Sequence, residues 1–180
     1  MTAEATFGFA DELRVGLRGV TRRVWGRRGV KVVQPLQLQY EWQYLFLVVD
    51  GRSGTLDWCW IDSMAGDELL AAVEGLQQAT DVEALVWDGA PSHRGADVLA
   101  LGLPLIGLPP YSPELNPAER VFEELRRAVE GKAHPTLADK VAAVETELAK
   151  WEAEPARIRS LAGWAWINAA VQGLPARNAG

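Results

Sequence analysis

The sequence predicts an α/β domain on a mixed five-stranded sheet, from three observations. Alternating, aromatic and β-branched stretches fill the chain up to Ile61. After it, two short apolar runs, at 82–87 and 103–108, alternate with helical patterns, and beyond Pro117 only helical patterns remain. Strands first, then helix, strand, helix, strand, is the order of a sheet covered by helices.

Thr6 to Asp11 alternates and ends in an acid, as a half-buried strand does before a turn. Val15 to Leu17 and Val24-Trp25 are short strand candidates, set apart by glycines and arginines. Tyr40 to Val49 is rich in aromatic and branched residues. Asp50-Gly51-Arg52-Ser53-Gly54 separates it from Leu56 to Ile61, which is a hairpin signature. From Gly66 to Thr80, residues Leu69, Leu70, Val73 and Leu76 recur at helical spacing. Val82 to Trp87 is too brief for a helix and stops at Asp88-Gly89, which suits a strand buried on both faces. Val98 to Leu101 reads as a short helix and Leu103 to Leu108 as the last strand. Ala118 to Glu130, Leu137 to Trp151 and Ala156 to Val171 read as the closing helices, the last with Trp164 and Trp166 as packing anchors.

A chain of 180 residues, 48% of them hydrophobic, has enough apolar material for one core. Residues 1–180 are therefore expected to form a single domain, with a core to about 135 and C-terminal helices over 136–180. With no long apolar run and no signal-peptide layout, the expected location is cytoplasmic, without a membrane partner. Cys59 stands alone, which excludes an internal disulfide; it reads as a buried apolar filler. One cysteine and two distant histidines, His93 and His134, do not make a zinc site. The net charge of -6 argues against a general polyanion binder. Yet Arg14, Arg18, Arg22, Arg23, Arg27, Arg28 and Lys31 follow one another with no acid between them, either a solvated hairpin face or a phosphate-contacting surface.

Three acids stand out. Asp11 lies in Phe7-Gly8-Phe9-Ala10-Asp11-Glu12. Asp88 ends an apolar run ahead of Gly89-Ala90-Pro91-Ser92-His93. Glu119 opens a helix after Tyr111-Ser112-Pro113-Glu114-Leu115-Asn116-Pro117. Carboxylates brought from separate elements to one place suit two magnesium ions, which take hard oxygen ligands and act roughly 3.5 to 4 Å apart on a phosphodiester. Gathering acids without cations costs repulsion, so at least one raised pKa or a mobile acid is expected. Each acid also has a plainer role. Asp11 and Asp88 are turn formers by type. Glu119 fits the third helical position of a capping box, with Asn116 as N-cap and Pro117 first, worth about 1 kcal/mol. Glu114 competes as the third acid, and Glu12 would point to the opposite face of a strand from Asp11. His93 reads as a DNA or phosphate contact or as a helix-end histidine, and Glu123 with Arg127 as an exposed pair one turn apart.

These motifs resemble the catalytic domain of DDE transposases of the mariner superfamily, in particular the bacterial insertion-sequence branch, over roughly Phe7 to Arg127. With that family comes the ribonuclease-H-like fold. The tyrosine-serine-proline turn, followed by an acid, Asn116-Pro117 and Glu119, is the most specific part. Trp25-Gly26-Arg27-Arg28-Gly29 is similar to a tryptophan-glycine stretch common in these proteins. Gly89 departs from the asparagine that usually follows the second acid. The resemblance puts the catalytic, metal-binding acids on Asp11, Asp88 and Glu119, with two Mg2+ ions per site and Mn2+ as a substitute. It implies strand cleavage and strand transfer at transposon ends, with transposon and target DNA as partners, in a nucleoid-associated homodimer. Arg22, Arg23, Arg27, Arg28, Lys31 and His93 are the DNA-contact candidates.

Such proteins usually carry helix-turn-helix modules ahead of the catalytic domain, whereas ten residues precede Asp11 here. The expectation is a catalytic domain by itself, a remnant or the product of a split reading frame, with a possible separately encoded helix-turn-helix subunit and weak base-specific recognition. Two other functions stay open, because fold alone does not choose among them. An inactive or domesticated remnant would serve as a DNA- or protein-interaction module and bind no manganese at millimolar concentration. A stand-alone ribonuclease-H-like nuclease would cut without joining strands.

Overall fold

A computed structural model describes residues 6–19, 25–33, 37–90, 93, 98 and 100–172. The elements run β1 (Phe7–Gly16), β2 (Trp42–Asp50), β3 (Thr55–Ile61), α1 (Gly66–Ala79), β4 (Ala84–Trp87), β5 (Leu105–Gly107), α2 (Pro117–Val129), α3 (Leu137–Glu152), α4 (Pro155–Ala162) and α5 (Ala165–Gln172). The strands form one sheet in the order β3-β2-β1-β4-β5. The β1–β2 and β2–β3 pairs are antiparallel, and β4 lies parallel to both β1 and β5. This is the mixed five-stranded sheet that the sequence predicts.

Alternation along the strands builds two cores. Phe9, Leu13 and Val15 of β1 join Leu45, Leu47 and Val49 of β2 on one face, under Val121, Phe122 and Leu125 of α2 and Val144, Leu148 and Trp151 of α3. The other face sets Ala10, Phe46, Val48 and Trp87 against Leu69, Val73 and Leu76 of α1. Each fully buried leucine contributes about 1.5–3 kcal/mol. The last three helices share the first of these cores through Ile158 and Ile167, so they cover the sheet. Trp58 and Trp60 also donate to Glu152 and Glu145 of α3, at 2.6 and 3.0 Å.

Several boundaries differ from the sequence reading. The first strand does not stop at Asp11: its ladder to β2 passes through Asp11↔Leu47 and Glu12↔Phe46 as far as Gly16↔Trp42. Two acids in a row break the apolar alternation, but a strand paired on its neighbours tolerates them. The closing helix is split in two at Gly163-Trp164, because Gly163 packs against the β2–β3 turn. Of the two tryptophans there, Trp164 packs on the core but Trp166 is exposed. Cys59 is half-buried rather than buried, and burial pushes its thiol pKa up.

The β2–β3 turn shows why its glycines are needed. Asp50 accepts from Arg52 N at 2.8 Å, Gly54 N donates to Asp50 O at 2.9 Å, and Gly54 takes the left-handed φ of 83°. A Cβ on Gly51 would lie 2.3 Å from the Ala162 carbonyl oxygen. Gly51→Ala is therefore expected to lower stability by about 1–3 kcal/mol, as overpacking does. Urea unfolding with an unchanged midpoint would contradict this packing of the turn against α4.

The β1–β2 ladder continues past the strands, with Leu17 N to Glu41 O and Gly19 N to Gln37 O, both at 3.0 Å. Trp25 is fully exposed and in no strand, and Val30 N closes a turn onto Arg27 O at 3.0 Å. Arg27, Arg28 and Lys31 are exposed here; Arg22, Arg23 and Val24 lie outside the described residues. Arg14 and Arg18 rest over the Trp42 and Tyr40 rings, each 5.6 Å from the centroid. Val98 and Ala100 are helical, and Leu101 is in a turn. Among the described residues no helix is long and apolar enough to cross a membrane.

Candidate active site

Strand register places the first two acids. Phe9 is paired with Val86 across the parallel β1–β4 ladder, and both side chains enter the core beneath α2. Asp11 follows Phe9 by two residues within β1, so the two-residue period of a strand carries it toward that face, while Asp88 lies one residue past the end of β4. Helix α2 packs on that face through Ala118, Val121 and Phe122, and Glu119 lies in its first turn.

The electrostatics agree with that placement. The Asp11 carboxyl is raised from 3.8 to about 7, first by burial. A hydrogen bond from Glu12 N, at 2.9 Å to Oδ1, pulls it back, while the charges of Glu119, Glu12 and Asp88 push it further up. Glu114 is exposed in the short turn Pro113–Leu115 and is not among the charges acting on Asp11. Asp11 is thus a raised carboxyl, chiefly because it is buried and secondarily because other acids lie near it.

Asn116 ties α2 to β1. Its buried amide donates from Nδ2 to Ala10 O at 3.0 Å and to Asp11 Oδ2 at 3.2 Å, while Oδ1 accepts from Ala118 N at 3.1 Å. One side chain thus caps the helix and clamps the acid; the sequence suggested only the cap. The reciprocal half of a capping box is missing, since Asn116 N donates to Pro113 O at 2.9 Å. Glu119 instead lies 3.7 Å from Arg126 Nη1, with 39% of its side chain exposed. Asn116→Ala should cost about 1 kcal/mol for the lost cap. Asn116→Asp keeps the cap acceptor but sets another carboxylate against Asp11, so at pH 8 it should destabilise further. Thermal melts that rank the aspartate variant as the more stable would contradict the clamp.

Asp88 is 57% exposed at the end of β4. Its Oδ1 accepts from Ala90 N at 3.0 Å, so it shapes the turn as well. The same oxygen lies 2.6 Å from Nδ1 of His93. His93 is only 2% exposed and lies in a short helical turn, its backbone N donating to Ala90 O at 3.0 Å. Burial disfavours the charged ring, but the Glu12 and Asp88 carboxylates outweigh it and raise the histidine pKa. Glu12 does face away from Asp11, as strand geometry predicts, and meets His93 on the far side of the sheet. Glu123 pairs with Arg127 at 3.8 Å, although Arg127 also reaches Glu124.

A cleft of about 580 Å³ runs beside Asp88, lined among others by Gly89, Leu108, Pro110, Tyr111 and Asn116. Tyr111 is fully exposed there with a left-handed φ of 58°, a conformation that costs about 1–2 kcal/mol in a non-glycine residue. The acids suit a divalent cation in kind, since they are hard oxygen donors whose repulsion a cation relieves. Among the described residues, however, no three metal-ligating side chains are drawn to coordination distance. Asp88 is engaged by His93 and Ala90, and Glu119 lies beside Arg126.

Residues 6–140 match the family described as DDE superfamily endonuclease. The chain belongs to that family. No curated protein matches it. Among solved structures, the Mos1 transposase paired-end complex with left transposon end is similar with a TM-score of 0.67 and 14% identity, over 93% of this chain and 56% of that one. The catalytic domain of Mos1 mariner transposase gives 0.62 and 15%, over 88% and 76%. The Mos1 mariner paired-end complex with Mn gives 0.62 and 15%, over 94% and 56%. The fold is ribonuclease-H-like, as the resemblance implied. The chain spans about half the length of the full Mos1 chains it matches.

Proposed function

We propose that this DDE endonuclease-family chain is a transposase catalytic domain that cleaves DNA strands at transposon ends and transfers them to target DNA, with divalent metal. The observation that carries this reading is the convergence on Asp11. This carboxyl is buried where Asn116 joins α2 to β1, and it is pushed up first by burial and then by the charges of Glu119, Glu12 and Asp88, the first and last from distant parts of the chain. Asp11, Asp88 and Glu119 would hold the cations, Mg2+ with Mn2+ as a substitute. When bound, two such ions polarise the attacking oxygen and stabilise the leaving one. Asn116 fixes the Asp11 carboxylate, the α2 N-terminus carries Glu119, and the exposed Arg27, Arg28 and Lys31 supply charge for a phosphate backbone. The DNA-bound and manganese-bound Mos1 complexes support the same chemistry here. Joining two ends calls for two copies of the chain, and base-specific reading is assigned to a separately encoded helix-turn-helix subunit.

Supercoiled plasmid nicking and the joining of recessed 3'-hydroxyl ends, each with Mg2+, Mn2+ or EDTA, test this function. Metal-dependent cutting and joining are expected. Cutting without joining would make the domain a nuclease, and failure to bind manganese at millimolar concentration would make it an interaction module.

A further inference from the structure

Behind the three acids, His93 and Glu12 form an arrangement that metal ligation does not use. The His93 imidazole is stacked on Trp87 at 3.8 Å between centroids and 15° between planes, and Trp87 meets Phe46 edge-on at 5.5 Å. Nδ1 lies 2.6 Å from Asp88 Oδ1 and 3.3 Å from the Asp88 carbonyl oxygen. On the opposite edge, Nε2 is 3.3 Å from Glu12 Oε1. The Glu12 side chain is only 3% exposed, and although Oε1 and Nε2 lie this close, neither makes a hydrogen bond to the other or to any other group among the described residues.

A carboxylate and an imidazole buried face to face are costly to desolvate, and a well-packed apolar pair would serve stability as well or better. Their value to the protein is then geometric. Asp88 is half exposed at a strand end and is followed by Gly89, which has no side chain to steady it. The imidazole meets one carboxylate oxygen, Trp87 stacks on the ring, and the Glu12 carboxylate stands behind it as a buried charge partner. Oδ2 of Asp88 has no hydrogen-bond partner among the described residues. Glu12 also reaches the first acid, since its backbone N donates to Asp11 Oδ1 at 2.9 Å. One residue of β1 thereby supports both Asp11 and Asp88.

We propose that Glu12 and His93 are positioning residues, a buried relay that sets the orientation of the Asp88 carboxylate for metal binding. This rests on the assignment of Asp88 as a ligand. Partners of this kind behind a ligating carboxylate typically govern metal affinity 10–100-fold.

The chain has two histidines, so the ring nitrogens of His93 are separable from those of His134 by 15N NMR on metal-free protein. Glu12→Gln and Asp88→Asn should each move the His93 ring resonances and leave those of His134 in place. In Mn2+ titrations followed by electron paramagnetic resonance, Glu12→Gln should weaken binding by about 10–100-fold at unchanged thermal midpoint. His93 resonances indifferent to both substitutions would overturn the relay, as would wild-type manganese affinity in Glu12→Gln. If the wild type bound no manganese while both substitutions moved the His93 ring, the metal assignment would fall and the orientation of Asp88 by the relay would stand.

Discussion

Asp88→Asn reduces Mg2+- or Mn2+-dependent nicking to background while the thermal midpoint stays close to that of the wild type. The amide is nearly the size of the carboxylate and retains an oxygen to accept from Ala90 N, so the turn after β4 has what it needs. It lacks the charge that a hard cation requires. A bound cation supplies several kcal/mol of transition-state stabilisation, and each 1.4 kcal/mol is tenfold in rate, so the loss should be on the order of a thousandfold. Gel quantification of nicked plasmid with equal initial rates for the two proteins would refute the role of Asp88. A low rate accompanied by a collapsed melting transition would instead make the residue structural.

Metal-free protein is more stable at pH 5 than at pH 8, and Asp11→Asn removes much of that slope. The Asp11 carboxyl is held at about 7 in the fold against 3.8 ordinarily, so the native state keeps a proton that the unfolded chain gives up. Its stabilising contribution is complete below about pH 4 and lost as the pH rises through about 7. His93, also raised, adds a slope of the same sign, which is why the Asp11 variant is needed to separate them. Above pH 7 the charged acids repel, and magnesium should restore at pH 8 the stability that deprotonation removed. Thermal melts in EDTA and in magnesium measure both effects. A wild type flat from pH 5 to 8, or an Asp11→Asn protein stabilised by magnesium as much as the wild type, would contradict the crowding of carboxylates.

Much of this arrangement is legible in the sequence because it is local. Asp50 to Gly54 marks a turn, Leu69, Val73 and Leu76 mark a buried helix face, and the apolar run before Asp88 marks a buried strand. Asp11, Asp88 and Glu119 each stand at a recognisable break in a periodic pattern, which is what singles them out as candidates. What escaped depends on partners remote along the chain. Asn116 reads as a helix cap, and its second bond, to Asp11, exists only because α2 lies across β1. His93 and Glu12 meet only because β1 and β4 are parallel neighbours, and neither residue's local context announces a buried pair. The strand through Asp11 and Glu12 survives two acids because β2 pairs with it from Phe9 to Gly16. The break at Gly163 follows from contact with Gly51, more than a hundred residues earlier in the chain.

The most direct test is a crystal structure of the protein soaked in manganese, with the metal located by its anomalous scattering. The account predicts manganese coordinated by carboxylate oxygens of Asp11, Asp88 and Glu119 together, with Glu119 turned from Arg126. Manganese absent from these residues at saturating concentration, or bound without one of the three, would contradict it.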